Sequence, residues 1–409
     1  MKKSLLLILF LSILGLAACN LSTGGAPTAE PPTSTPMPSP TPLIITLPPP
    51  EDLDRVTPTA VDHAQGPIDA IVTMIHYGDF QCIPCADVAR SLAILRERYP
   101  ESLRVVWRHY PDVANHDKAT LALAASEAAA AEDRFWEMHD LLFAEQDGWI
   151  DLTPEQFRAA LIDYAGTLQL NIADFEAALD QDLSALADRY RMEALALDLR
   201  GIPALLINGQ PYSGRYDLYG LDDAYRFFAL EARHYPHQPD LFIDLTADYR
   251  AVLVTERGNV EIDLFVDEAP VTVNNFVYLA RDGWYNNITF HRVLPGLFAQ
   301  TGDPSGTGLG GPGYTIFDER DNGLTFDREG RVAMASTRGV PNSGGSQFFI
   351  TYGPLTPAWE WNGQFAIFGQ VTNGMDVLRA LTPRDPLDPL RFPDPPPGDR
   401  LITVEIYRE

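Results

Sequence analysis

The chain has 409 residues, of which 45% are hydrophobic, and a formal net charge of −26. It is too long for one ordinary hydrophobic core, so we expect two folded domains and a tail. The acidic composition excludes nucleic acid as a partner, because binding to a phosphate backbone requires clustered Lys and Arg.

Only Cys19, Cys82 and Cys85 are present. Three cysteines are too few for a scaffold of several disulfides or for a four-cysteine zinc site. Each cysteine therefore needs a separate explanation.

The amino terminus has the order of an export signal. Lys2 and Lys3 precede an apolar run at 5–16, then small residues and Cys19. The run is too short to span a bilayer comfortably. Its ending, Leu-Ala-Ala-Cys, resembles a bacterial lipobox, which implies a signal peptide at 1–19, acylation of Cys19 and extracytoplasmic anchoring to the membrane. An ordinary secretory signal with an incidental cysteine is the alternative.

Residues 20–65 are rich in Pro, Thr and Ser. Such a segment buries too little apolar surface to fold, so we predict a disordered linker that spaces the folded domains from the membrane.

The first domain, 66–235, places two cysteines at a strand-to-helix junction. An apolar run at 71–75 precedes Cys82 and Cys85, and helical spacing follows until Pro100. A helix amino terminus favours a thiolate, so Cys82 is the predicted nucleophile and Cys85 the buried resolving thiol. A structural disulfide and a zinc site are the alternatives, although the available histidines lack paired ligand spacing.

Further along, 103–107 reads as a strand and 119–197 as mostly helical. Thr153 before Pro154, with Gln156 at the capping-box position, predicts a helix start.

This domain resembles the DsbA-like branch of the thioredoxin superfamily. The resemblance rests on three strings: Asp79–Cys85, Phe135–His139 and Gly201–Gly209. It implies an α/β thioredoxin-like fold with a helical insertion. It also implies a cis Pro203 beside the dithiol, with backbone groups of Ile202 free to pair with an extended client.

Two departures from that family matter. Pro84 stands where strongly oxidising members have His, so the redox direction stays open. His76 stands where the family usually has a buried acid, and it either accepts the Cys85 proton or faces the surface.

The second domain, 241–409, begins with a predicted hairpin at 251–265 and a helix at 269–279. Short strands separated by Gly-rich turns follow, which predicts a mainly-β closed barrel.

Its motifs resemble a bacterial-type cyclophilin. They are Phe290–Gly296, Gln300–Pro304, Gly306–Tyr314, Ser346–Ile350 and Phe368–Gly369. The resemblance implies a peptidyl-prolyl isomerase with the catalytic residues Arg292, Gln300 and Phe349. It implies these substrate-binding residues: Phe290, Leu297, Phe298, Ala335, Ser336, Gln347 and Phe365. Ser336 and Phe365 differ from the family's usual Asn and His, and the family's groove Trp is either shifted to Trp361 or replaced by Glu360.

Isomerisation needs a site that prefers the twisted prolyl amide, and neither a cofactor nor a metal. We therefore predict an enzyme that isomerises X-Pro bonds and exchanges disulfides in exported polypeptides, together with a membrane redox partner. The alternatives are a redox enzyme with a non-catalytic proline-binding domain, and a non-enzymatic holdase or scaffold.

Overall fold

The computed structural model describes residues 57–59, 62–355, 361–388, 390–392 and 398–409. The predicted signal peptide, Cys19 and most of the predicted linker lie outside these residues. The end of the predicted linker is an exception, because residues 63–65 form a strand of the first sheet and the first domain therefore begins before residue 66.

The dithiol follows the central strand of the first sheet. Its strands are β1 (His63–Gln65), β2 (Val72–Gly78), β3 (Leu103–His109), β4 (Ala204–Ile207) and β5 (Gln210–Pro211). They lie in the order β1-β3-β2-β4-β5, in which β2 and β3 are parallel and the other pairs antiparallel. The parallel pair requires a crossover, which helix α1 (Ile83–Arg98) supplies.

The predicted helical stretch between β3 and β4 is confirmed as a run of separate helices. They are α2 (Ala119–Ala130), α3 (Phe135–Ala144), α4 (Gln146–Trp149), α5 (Pro154–Thr167), α6 (Ile172–Leu179) and α7 (Ser184–Ala196). Helix α5 begins as predicted, because Thr153 and Gln156 form a capping box and Pro154 occupies the first turn.

All described strand pairs of the second sheet are antiparallel. Its strands are β6 (Tyr249–Thr255), β7 (Gly258–Leu264), β8 (Ile288–Thr289), β9 (Arg292–Leu294), β10 (Phe298–Thr301), β11 (Arg331–Met334), β12 (Phe348–Thr351), β13 (Ile367–Asn373) and β14 (Arg400–Arg408). Helix α9 (Pro270–Arg281) packs on this sheet, and the short α10 (Met375–Arg379) follows β13. In the described residues the order is β8-β14-β6-β7-β13-β11-β12-β10-β9. The sheet is thus a curled half-barrel with two ends, where the sequence predicts a closed barrel.

Helix α8 (Leu218–Leu230) contributes to both hydrophobic cores. Leu221 and Phe228 pack in the core of the first domain, whereas Leu230 packs in the core of the second. Just beyond α8, the Tyr235 amide donates to the Pro312 carbonyl at 2.9 Å. The described residues of both domains accordingly fall within one compact unit.

Among the described residues, the helices are too short or too polar to cross a bilayer.

Candidate functional site

The dithiol lies at the amino terminus of α1. Cys82 is the N-cap residue, and its sulfur accepts a hydrogen bond from the Cys85 amide at 3.1 Å. The two cysteines form a disulfide, with Cys82 4% exposed and Cys85 fully buried. The first turn of α1 holds no acidic side chain, so the positive end of the helix dipole faces Cys82 without opposition from that turn.

A cavity of about 400 Å³ opens beside Cys82. Its lining residues are Gln81, Cys82, Ile83, Pro84, Asp112, His116, Ile150 and Ile202. The Ile202–Pro203 peptide bond is cis. Because Ile202 and Cys82 line the same cavity, the loop before β4 and the dithiol meet at one site. Cys82 reaches this cavity and Cys85 does not line it, in keeping with unequal roles for the two sulfurs.

A buried Asp–His pair adjoins the same cavity. His116 Nδ1 lies 2.9 Å from Asp79 Oδ2, and the Asp79 side chain is almost completely buried. Asp79 also accepts hydrogen bonds from the amides of Gln81 and Asp112. The hydrogen bond with Asp79 raises the pKa of His116, against the opposing effect of burial. The sequence alone does not indicate this pair, because Asp79 precedes His116 by 37 residues.

His76 is 1% exposed, which excludes the surface-facing alternative. Its ring lies 5.0 Å from that of Trp107, and its Nε2 atom has no hydrogen-bond partner among the described residues. Burial lowers the pKa of His76 to about 3, so its imidazole is neutral at physiological pH. The described contacts do not link it to Cys85.

His63, His109 and Glu127 form the one cluster of metal-ligand type found in the described residues. Glu127 Oε1 lies 2.8 Å from His63 Nε2 and 3.0 Å from His109 Nε2. The indole N–H of Trp107 donates to His109 Nδ1 at 3.1 Å, which leaves the proton of a neutral His109 on Nε2. A neutral imidazole that binds a metal through Nε2 must carry its proton on Nδ1, where the Trp107 N–H already donates, so we assign a hydrogen-bonded cluster rather than a metal centre.

The second site begins with Arg292 and Gln300. They lie opposite each other on β9 and β10. Arg292 Nε donates to Asp385 Oδ2 at 2.8 Å, and the guanidinium carbon lies 5.3 Å from the centre of the Phe298 ring. A cation is thus fixed beside an apolar surface, where its field acts strongly on a bound amide.

Gln300 is fixed by a second glutamine. Its Nε2 donates to Gln347 Oε1 at 2.9 Å, and Gln347 Nε2 donates to the carbonyls of Gly308 and Gly310. Gln300 Oε1 is buried and has no partner among the described residues. An unpaired buried acceptor is costly, and a peptide N–H could satisfy it.

Four aromatic rings meet where the sequence predicts the proline socket. Around Phe349, ring centres lie at 5.7 Å for Phe298, 5.5 Å for Trp361 and 5.2 Å for Phe365. These four side chains, which we call the ring cluster, are only 0–6% exposed. Because the four rings pack against one another, a proline ring at this site would need space.

The other predicted binding residues differ in burial and in their contacts. Ala335 donates its amide to the Gln347 carbonyl at 2.9 Å, and both line a cavity of about 80 Å³. Ser336 is buried and Leu297 is half-buried. Phe290, in contrast, is fully buried in the hydrophobic core of the second domain, so a direct substrate contact does not follow from its position.

Comparison with known proteins agrees with this division. Residues 250–392 match the family model of cyclophilin type peptidyl-prolyl cis-trans isomerase/CLD, and residues 59–224 match the thioredoxin family model. The peptidyl-prolyl cis-trans isomerase B of Bacillus subtilis is 39% identical over 139 residues, covering 34% of this chain and 94% of that protein. A peptidyl-prolyl cis-trans isomerase of Synechococcus elongatus is 38% identical over 162 residues, covering 39% of this chain and 97% of that protein.

The search of solved structures found the crystal structure of a Cryptosporidium parvum cyclophilin type peptidyl-prolyl cis-trans isomerase. Its sequence is 32% identical to the matched part of this chain, and the TM-score is 0.35. The match covers 39% of this chain and 98% of the Cryptosporidium parvum chain.

The fold and the two sites thus define a thioredoxin-like domain joined to a cyclophilin domain. Through its second domain, the chain belongs to the cyclophilin type peptidyl-prolyl cis-trans isomerase family.

Proposed function

We propose that the chain is a bifunctional folding enzyme that isomerises X-Pro bonds at the ring cluster and exchanges disulfides at Cys82 and Cys85. The isomerase half has support from the cyclophilin relatives. The observation that carries it is the placement of Arg292 and Gln300 side by side at the edge of the ring cluster.

The isomerase chemistry requires no covalent step. Rotation about the prolyl amide must overcome a barrier of about 18–20 kcal/mol that comes from amide resonance. A cation near the prolyl nitrogen favours the twisted amide, in which that nitrogen regains its lone pair. Arg292 would supply this cation, and the unpaired Gln300 Oε1 would accept an N–H of the client backbone.

The exchange chemistry uses both sulfurs. The Cys82 thiolate attacks a client disulfide, forms a mixed disulfide and releases one client thiolate, which takes up a proton. The Cys85 thiolate then attacks the Cys82 sulfur and releases the second client sulfur. The client has gained two electrons and the Cys82–Cys85 dithiol has lost them, and the reverse sequence oxidises the client.

We also propose that the clients are exported polypeptides. The predicted lipobox at Cys19 supports a lipid anchor on the outer side of the membrane, where disulfides persist. A membrane redox partner would then reset the dithiol after each turnover. Incorporation of a labelled fatty acid into the chain, and its loss in Cys19→Ser, tests the anchor.

One observation favours a second candidate, a proline-peptide binding module without turnover. The ring cluster is closed, and the guanidinium of Arg292 is held by Asp385.

Arg292→Ala separates the two. On a substrate whose refolding is limited by proline isomerisation, we expect the variant to lose about 100-fold in kcat/KM, as when one preorganised donor is removed. Arg328→Ala is the matched control, because Arg328 is an exposed arginine of the same domain. An unchanged rate in Arg292→Ala would support the binding module.

The redox half is tested with two serine variants. We expect Cys85→Ser to accumulate mixed disulfides with a test peptide through Cys82, and Cys82→Ser to form none. Equal trapping by both variants would contradict the assignment of Cys82 as nucleophile.

A further inference from the structure

We propose that the imidazolium of His116, paired with Asp79, stabilises the Cys82 thiolate by neutralising the Asp79 carboxylate. The inference rests on the proposed thiol–disulfide exchange and names the residue that tunes it. It replaces the contribution that a histidine between the cysteines would make, since Pro84 occupies that position and has no charge.

The shared cavity brings His116 and Cys82 to one surface. Both line the opening of about 400 Å³, together with the apolar side chains of Ile150 and Ile202 and the acidic side chain of Asp112. Apolar walls lower the local dielectric, so a charge on one side of the cavity is felt more strongly on the other. His116 is partly exposed, which allows its ring to exchange protons with solvent.

Asp79 makes this charge necessary. Asp79 lies three residues before Cys82, and its backbone carbonyl accepts the Cys82 amide at 3.1 Å. Its buried carboxylate accepts the Gln81 amide, next to Cys82, at 2.8 Å. An unpaired carboxylate there would oppose a thiolate. The imidazolium of His116 neutralises it, and the pair no longer opposes ionisation of Cys82.

The other charged groups around His116 favour its protonated form. Asp112 and Asp117 lie on the same loop and, after Asp79, raise the pKa of His116 further. The nearby amine of Lys118 is engaged by Asp117 Oδ1 at 2.6 Å. The cation that contacts Asp79 in the described residues is therefore His116.

The charge has a consequence for the redox equilibrium. A stabilised Cys82 thiolate favours the reduced dithiol over the disulfide, which makes the disulfide a stronger oxidant. Each tenfold change in the exchange equilibrium corresponds to about 30 mV in reduction potential. Loss of the His116 charge should thus raise the Cys82 thiol pKa and make the dithiol easier to oxidise.

The test is a pH titration of the reduced full-length chain. The rate of iodoacetamide alkylation and the ultraviolet absorbance of the thiolate both report the ionisation of Cys82. We expect His116→Asn to raise the Cys82 thiol pKa by about one unit and to shift the exchange equilibrium with glutathione about tenfold toward the disulfide. His237→Asn, an exposed histidine remote in sequence from the cavity, serves as the control and should change neither.

Two further variants separate charge from structure. His116→Lys restores a permanent cation and should return the Cys82 pKa toward the native value. Asp79→Asn combined with His116→Asn removes both charges and should undo most of the increase seen in His116→Asn alone. A purely structural role predicts neither rescue, and thermal unfolding followed by circular dichroism identifies any variant that fails to fold.

The possible failures are distinguishable. If the native dithiol does not equilibrate with glutathione, the proposed redox function is wrong. If it equilibrates and His116→Asn leaves the Cys82 pKa unchanged, the redox function stands and this inference is overturned.

Discussion

Arg292 and Asp385 form an ion pair of 2.8 Å in which the arginine is 3% exposed and the aspartate 1%. The second carboxylate oxygen of Asp385 accepts the amide of Leu387 at 3.0 Å. Both ends of the carboxylate are therefore occupied, and the guanidinium is held in one orientation against the Phe298 ring. The predicted catalytic arginine depends on a residue that no motif in the sequence identified.

Replacement of Asp385 tests this dependence. Asp385→Ala leaves a buried guanidinium without its carboxylate, which should cost about 3–5 kcal/mol in the free energy of unfolding of the second domain. Asp385→Asn keeps an acceptor and should cost less, yet we expect about a tenfold loss in isomerase kcat/KM because the arginine is held less firmly. Urea unfolding and a proline-limited refolding assay measure the two effects.

Asp327→Asn is the matched control, because Asp327 pairs with Arg331 and Arg328 while its side chain is 41% exposed. A partly exposed pair of this kind should contribute at most about 1 kcal/mol. If Asp385→Asn behaves like Asp327→Asn in both assays, Asp385 has no special role.

Trp361 packs against two other members of the ring cluster. Its ring centre lies 5.5 Å from that of Phe349 and 5.8 Å from that of Phe298. Trp361→Leu should open space for a proline ring, lower the KM for proline peptides severalfold and cost about 2 kcal/mol in stability through lost packing. Peptide titrations with steady-state kinetics measure the change.

Phe368→Leu provides the comparison. Phe368 is fully buried in the core of the same domain, outside the ring cluster. We expect a similar loss of stability without a lower KM. A lower KM in both variants would indicate that general loosening of the domain, rather than removal of Trp361, opens the socket.

The local features could be predicted from the sequence because their residues are neighbours in the chain. The dithiol before α1 and the cap at Thr153 each depend on a few consecutive residues. The supporting contacts could not be predicted in this way. Arg292 and Asp385 are 93 residues apart, and His63 and Glu127 are 64 apart. Only the fold decides which distant side chains meet.

The barrel prediction illustrates the same limit. Alternating short strands and Gly-rich turns indicate a curved antiparallel sheet. A closed barrel would require the two end strands, β8 and β9, to pair with each other. Although they are neighbours in the chain, β8 pairs with β14 and β9 pairs with β10. Strand length and turn chemistry do not determine that pairing.

Glu127 should make the first domain sensitive to acid. Burial alone would raise its pKa, but hydrogen bonds from His109 and His63 outweigh burial and lower the pKa from 4.5 to about 2. A carboxyl group whose pKa is lower in the folded state than in the unfolded state stabilises the fold at pH values above the unfolded-state pKa. This stabilisation is lost as the pH falls through the folded-state pKa. We therefore expect a loss of at most about 3 kcal/mol as pH falls from about 4.5 to about 2.

Glu127→Gln should remove this slope and lower stability at neutral pH, which urea unfolding at several pH values measures. Glu137→Gln serves as the control, since Glu137 pairs with Arg134 while both side chains are largely in solvent. An acid slope that persists in Glu127→Gln would assign it to other carboxyl groups.

Leu230 should couple the stability of the two domains. It is the last residue of α8 and is 4% exposed within the core of the second domain, whereas Leu221 of the same helix is fully buried in the core of the first. Leu230→Ala should therefore destabilise the second domain by about 2–5 kcal/mol, although the helix that carries it belongs to the first. Leu221→Ala is the matched substitution and should lower the stability of the first domain instead. Calorimetry of the full-length variants shows which domain each change affects. Isomerase activity is the marker for the second domain, and closure of the disulfide is the marker for the first. If Leu230→Ala leaves the temperature at which isomerase activity is lost unchanged, α8 does not stabilise the second domain. The contact of Leu230 with that domain then contributes nothing measurable to stability.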